Sequence, residues 1–86
     1  MNLDQFIDKT DPRILSRGYD YFHQDSVENL YMTGTGTWHA DVTGRSAYQV
    51  TVQMEKDQVK NWDCSCTYDM GPVCKHVIAV ILHIRD

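Results

Sequence analysis

The most informative segment of the chain runs from residue 64 to residue 80 and reads Cys64-Ser-Cys-Thr-Tyr-Asp-Met-Gly-Pro-Val-Cys-Lys-His-Val-Ile-Ala-Val80. It holds all three cysteines of the chain, and a histidine follows the third cysteine after one intervening residue. The pattern is C-x-C, a seven-residue loop, then C-x-H, and it offers Cys64, Cys66, Cys74 and His76. Three thiolates and one imidazole make a complete tetrahedral ligand set for Zn²⁺.

The spacing of each ligand pair suits the element on which we expect it. Residues i and i+2 of a strand point to the same side, so Cys64 and Cys66 can face one ion. Cys74 and His76 stand where a helix is predicted to begin, and its free N–H groups and positive dipole end favour thiolates. Because protein side chains would fill all four positions, we predict a structural zinc site with no place for a catalytic water.

Three other interpretations of these residues remain open at this point. The cysteines could be small buried apolar side chains. Cys64 and Cys66 could form a disulfide, although its ring would be strained and Cys74 would be left over. His83 could replace His76 as the fourth ligand, although it lies two turns, about 10 Å, further along the predicted helix.

Upstream of the cluster, apolar and polar residues alternate with a period of two, which predicts β-strands. The alternating segments are separated by turns near Gly34, Gly44 and Lys56. The predicted strands cover residues 30–32, 38–42, 48–54 and 59–64. Four strands joined by short turns indicate an antiparallel meander with one face exposed to water.

Helices are predicted on both sides of this meander. Asp11-Pro12 combines an acidic N-cap with proline at the first helical position, which predicts a helix over residues 12–23. A glycine inside a helix costs about 1 kcal/mol relative to alanine, so we expect a close packing contact at Gly18. Shorter apolar patterns predict a helix over residues 2–8 and a mostly buried helix over residues 74–85.

Composition limits the class of protein further. The chain has 86 residues, which predicts one domain. It has 8 basic and 12 acidic side chains and a net charge of −4, which predicts that it lacks a large basic face for nucleic acid. No apolar run reaches the roughly 18 residues of a membrane span. The N-terminus lacks the basic start and apolar run of a signal peptide, so we expect a cytoplasmic protein.

We therefore predict a single α+β domain over residues 1–86. It consists of an N-terminal helix, a four-stranded antiparallel β-meander and a C-terminal helix. A Cys₃His zinc site joins the last strand to the last helix. A small domain has a thin core, and structural zinc contributes an apparent binding free energy of about 10–16 kcal/mol.

The ligand pattern resembles that of the SWIM zinc finger, C-x-C followed by a variable loop and C-x-H. The Val-Ile-Ala-Val run after His76 is also similar to that family. We identify the SWIM-like finger with residues 62–84, preceded by the helix and meander over residues 11–61. Arg17-Gly-x-x-Tyr21, followed by alternating strands, looks like the region before SWIM fingers in bacterial proteins.

This resemblance implies a Zn²⁺ cofactor and a role in molecular contacts. SWIM fingers occur beside Swi/Snf-type helicase-like ATPases, in transposases and in other regulators, and are thought to mediate protein–protein or DNA contacts. We expect an interaction module in or beside a Swi/Snf-type ATPase, with a protein partner favoured over nucleic acid. We expect no membrane partner and no small-molecule substrate.

Two other functional classes are alternatives to an interaction module. A thiol-based redox or metal sensor would release zinc when the Cys₃His site is oxidised. An enzyme is disfavoured, because the sequence shows no acid–base or nucleophilic constellation.

The four-ligand hypothesis makes a direct prediction. Each of Cys64→Ser, Cys66→Ser and Cys74→Ser should abolish stoichiometric zinc and cooperative unfolding, because the folded state depends on the metal. Native mass spectrometry would give the zinc content, and circular dichroism would follow unfolding. A single variant that keeps both properties would refute the hypothesis.

Overall fold

The computed structural model describes residues 2–34, 36–44, 46–56, 58–66 and 73–85. The elements in chain order are α1 (Leu3–Asp8), α2 (Pro12–His23), β1 (Val27–Thr33), β2 (Thr37–Thr43), β3 (Ala47–Glu55), β4 (Gln58–Cys64) and α3 (Lys75–Arg85). The strands form one antiparallel sheet in the order β1-β2-β3-β4. The predicted α+β fold with a meander is therefore confirmed. Most of the loop between the two ligand pairs, residues 67–72, lies outside the described residues.

Side-chain caps fix the starts of the first two helices. The backbone N–H of Gln5 donates to the Asn2 side chain at 2.8 Å, and the backbone N–H of Asn2 donates to the Gln5 side chain at 3.1 Å. This reciprocal pair is a capping box. At α2, the Asp11 carboxylate accepts from the N–H of Arg13 at 2.8 Å, with proline in the first helical position. The bounds predicted for α2 are confirmed.

The inner face of the sheet carries small branched side chains in register across strands. Val50 of β3 lies opposite Ala40 of β2, and all the inward residues at the centre of these strands are buried. The intervening residues of β2 and β3 are mainly Thr, Gln, His and Asp, which matches a solvated outer face. The buried valines of the sheet are Val42, Val50, Val52 and Val59.

Helix α3 forms the centre of the core. Residues 77–82 are all buried, with 1% exposure or less, and α3 packs against both α2 and the sheet. A helix that is apolar on every side requires cover on every side, and this arrangement provides it. Within the described ranges, no helix is both long and apolar enough to cross a membrane.

Strand β1 departs from the simple alternation expected from the sequence. The alternation groups Leu30 with Met32, but only Leu30 packs against the core, whereas Met32 is 51% exposed. The pairing with β2 shifts between Glu28 and Tyr31, and Asn29 has a φ of 55°, so the strand contains a bulge. Met32 also lies next to the end of an edge strand, where little structure covers it.

The contact expected at Gly18 is present between α2 and α3. A Cβ atom at this position would collide with Cγ2 of Ile78 and would lie 2.8 Å from its Cβ. Gly18 and Ile78 are both buried. The glycine therefore lets the two helices approach more closely than any side chain would permit.

Replacing this glycine should destabilise the domain. Gly18→Ala should lower the free energy of unfolding by about 1–3 kcal/mol, because overpacking against Ile78 outweighs the helix propensity of alanine, which favours it by about 1 kcal/mol. Urea unfolding of the zinc-loaded protein would measure the change. Ser16→Ala, at an exposed position of the same helix, is the control and should alter stability by less than about 0.5 kcal/mol. A Gly18→Ala protein as stable as wild type would contradict the packing argument.

Candidate metal centre

The cluster forms where the end of β4 meets the start of α3. Cys64 is the last residue of β4, and Cys66 follows two residues later. The intervening Ser65 extends the sheet pairing, since its N–H donates to the Gln49 carbonyl at 3.0 Å and its hydroxyl accepts from the Gln49 N–H at 2.9 Å. This pairing holds the C-x-C segment in an extended form.

The second ligand pair lies at the N-terminus of α3. Cys74 immediately precedes the helix, and His76 lies in its first turn. The Cys74 carbonyl accepts the Ile78 N–H at 3.2 Å, so Cys74 starts the helical hydrogen-bond series. Cys74 and His76 are buried, whereas Cys64 and Cys66 are half-buried. The sequence therefore places one pair on a strand end and the other on a helix start, as the spacing predicted.

The four side chains converge with separations that suit a tetrahedral ion. The ligand atoms of Cys64, Cys66, Cys74 and His76 all lie within 4.8 Å of one another. Nδ1 of His76 is 3.7 Å from Sγ of Cys64 and 3.8 Å from Sγ of Cys74. Tetrahedral Zn²⁺ with ordinary bond lengths would separate nitrogen from sulfur by about 3.5–3.6 Å. The donor set and its spacing therefore fit zinc.

The cysteine pair at the centre of the cluster shares a proton unequally. The Cys64 thiol donates towards Cys74 and so lowers the pKa of Cys74, and the His76 side chain contributes further to that shift. The same interaction, together with burial, raises the pKa of Cys64. Thiolates only a few ångströms apart repel one another, so a divalent cation is the natural means of keeping all of them ionised.

The alternatives left open by the sequence can now be compared with the geometry. All three cysteines, each within the described residues, are free, so Cys64 and Cys66 form no disulfide here. His83 is not among the clustered residues. Its ring instead packs against Phe22, with centroids 4.6 Å apart. The structure therefore places His76, and not His83, beside the cysteines.

Two tyrosines, which the ligand pattern of the sequence does not reveal, pack against the His76 ring and orient it. The Tyr48 ring stacks on His76 with centroids 4.3 Å apart, and Tyr21 meets it edge-on at 5.2 Å. Nε2 of His76 is buried and has no hydrogen-bond partner among the described residues. Ring packing thus positions this imidazole so that Nδ1 faces the sulfurs. The available signal was the strand period, which puts Tyr48 on the same face as Val50.

Comparison with known proteins agrees with this geometry. The family model of the SWIM zinc finger matches residues 48–85, which is somewhat less than half of the chain. The matched segment contains most of β3, all of β4, the four clustered residues and α3. Searches of curated proteins and of solved structures gave no match. The match and the cluster together indicate a zinc-binding module in the C-terminal part of the chain.

The choice of histidine can be tested directly. His76→Ala should eliminate stoichiometric zinc, because it removes a ligand, whereas His83→Ala should retain one zinc per chain and lose only stability through the Phe22 contact. Native mass spectrometry of both proteins would measure zinc content. His39→Ala, on the outer part of the sheet, is a control for general effects of losing an imidazole. Zinc loss in His83→Ala with retention in His76→Ala would reverse the assignment.

Proposed function

We propose that this chain is a non-catalytic zinc-binding interaction module that docks a protein partner. The observation that supports this most strongly is the convergence of three cysteines and one histidine on one point. Such a set fills every position of a tetrahedral zinc ion, so the metal would have no open site for water or substrate. A metal held in this way serves to fix a surface.

The position of the cluster indicates which surface it would fix. The four residues connect the end of β4 to the start of α3, and α3 is the helix on which α2 and the sheet both pack. Metal binding at this junction would hold the first turn of α3 relative to the sheet. The surroundings of the cluster, formed by α2, β3 and α3, would then present a rigid surface to a partner.

Charge favours a protein partner over nucleic acid. The net charge is −4, and three of the described cations, Arg13, Lys60 and Arg85, already pair with carboxylates of the same chain. Affinity for DNA or RNA comes mainly from many cations on phosphates. A domain whose acidic side chains outnumber its cations is better suited to a protein surface.

The larger context is also part of the proposal. SWIM fingers occur in several kinds of molecular assembly. We propose that this module acts in or beside a Swi/Snf-type ATPase. A reducing compartment such as the cytoplasm suits the site, because three metal-binding thiolates must stay reduced.

A redox sensor is the rival function, since Cys64 and Cys66 are only half-buried. In that case hydrogen peroxide would oxidise two thiolates to a disulfide, would itself be reduced to water, and zinc would be released. An interaction module should keep its zinc at the same peroxide concentration.

The proposed function can be tested on the zinc-loaded protein in parallel assays. Calorimetry with a Swi/Snf-type ATPase from the same genome should show saturable binding that is lost in Cys66→Ser. Duplex DNA should show no steep loss of affinity between about 50 and 200 mM salt, because no large set of phosphate contacts forms. Micromolar peroxide should release no zinc into a chromogenic chelator.

Each contrary outcome has a distinct meaning. Zinc release by micromolar peroxide that reductant reverses would favour the sensor. Steeply salt-dependent DNA binding would indicate that the partner is a nucleic acid and not a protein. Absence of binding to the ATPase would remove the proposed context.

A further inference from the structure

Two adjoining cavities lie beside the metal cluster and share Arg17 and Lys75 as lining residues. The first, of about 260 Å³, is also lined by Ile14, Tyr48 and three of the clustered residues. The second, of about 340 Å³, extends along α2 past Asp20 and Tyr21 to the turn after β2. We call this pair of cavities the cationic groove. The first cavity is far larger than a metal ion requires, and four of its seven lining residues are not ligands.

Among the described residues, the two cations of the groove have no carboxylate partner at ion-pair distance. In the described part of the chain, neither Arg17 nor Lys75 forms an ion pair. Nζ of Lys75 instead lies over the Tyr21 ring, 5.6 Å from its centroid, which is a cation–π contact. Arg17 is exposed. The groove therefore presents two positive charges, and no acidic side chain that the structure describes lies at ion-pair distance from them.

The charge of the metal cluster does not neutralise both cations. A Zn²⁺ ion with three thiolates and a neutral imidazole carries a net charge of −1. Arg17 and Lys75 together carry +2, so the first cavity, which they both line, would retain one positive charge. Asp20 in the second cavity would bring the two cavities together to zero. Within a chain of net charge −4, the first cavity would be a local positive region among the described residues.

We propose that the cationic groove binds an acidic segment of the protein partner. A carboxylate of that segment lies between Arg17 and Lys75, and a neighbouring apolar side chain enters the first cavity against Ile14 and Tyr48. This inference rests on the proposed function, and it names the chemistry of the partner and the surface that contacts it.

The lining favours such a peptide over nucleic acid. Two cations can contact only one or two phosphates, which gives little of the affinity that nucleic-acid binding normally draws from many such contacts. An aliphatic and an aromatic side chain beside the cations instead match an acidic residue followed by an apolar one. Apolar burial and charge pairing would then act together on one short segment.

An unbiased selection would test the inference. A library of random 12-residue peptides displayed on phage is selected in parallel on the zinc-loaded wild type and on the zinc-loaded R17Q/K75Q double variant. Wild type should enrich sequences with Asp or Glu beside an aromatic or aliphatic residue. The double variant should lose that enrichment, because the paired charges are gone. K9Q, which removes an exposed cation elsewhere, should enrich the same sequences as wild type.

Affinities of one enriched peptide complete the test. Replacing either cation by glutamine should weaken binding about two- to five-fold, and replacing both about five- to twenty-fold, as expected for partly exposed charge pairs. A counterpart peptide with Asn and Gln in place of Asp and Glu should bind wild type no better than the acidic peptide binds the double variant. Zinc content should be equal in all variants.

The outcomes separate this inference from the proposed function. Enrichment of the same peptides by wild type and double variant would overturn the proposed binding to the groove. It would leave the interaction module as the proposed function. A wild type that enriches no peptide, yet binds a DNA duplex through Arg17 and Lys75, would overturn both. Loss of zinc in R17Q/K75Q would show that the two cations serve to neutralise the metal cluster, and would also overturn the inference.

Discussion

The convergence of four ligand side chains is the constraint on which the rest of the structure depends. It ties the end of β4 to the first turn of α3, and α3 is the element around which the remainder of the chain packs. A helix that is buried on every side cannot shift along its axis without losing packing contacts, because each of its faces meets a different neighbour. Fixing Cys74 and His76 relative to Cys64 and Cys66 therefore determines where the apolar surfaces of α2 and of the sheet must lie.

Local chemistry made much of this fold predictable from the sequence. The bounds of α2 follow from Asp11 and Pro12, whose capping effects operate within three residues. The meander follows from the strand period and the turns between segments. The exposure of Met32 could not be predicted in this way, because it depends on the bulge near Asn29 and on the edge position of β1, which only the assembled sheet reveals.

The candidate site shows the same division between local and long-range information. The clustering of the four residues was predictable because strand and helix geometry decide which side each ligand faces. The packing of Tyr21 and Tyr48 around His76 was not, because it requires α2 and β3 to meet over the start of α3. The cationic groove has the same origin, since Arg17 and Lys75 are far apart in sequence and become neighbours only when α2 packs on α3.

The contact between Gly18 and Ile78 has a consequence for recognition as well as for packing. Gly18 directly follows Arg17, so the residue that sets the distance between α2 and α3 also sets how far Arg17 stands from Lys75. The absence of a side chain in glycine thus sets the width of the groove. If the groove binds a partner as proposed, a substitution at position 18 in descendants of this chain would change the width of the groove without changing any residue that lines it. Specificity would then change through a buried position that the partner never contacts.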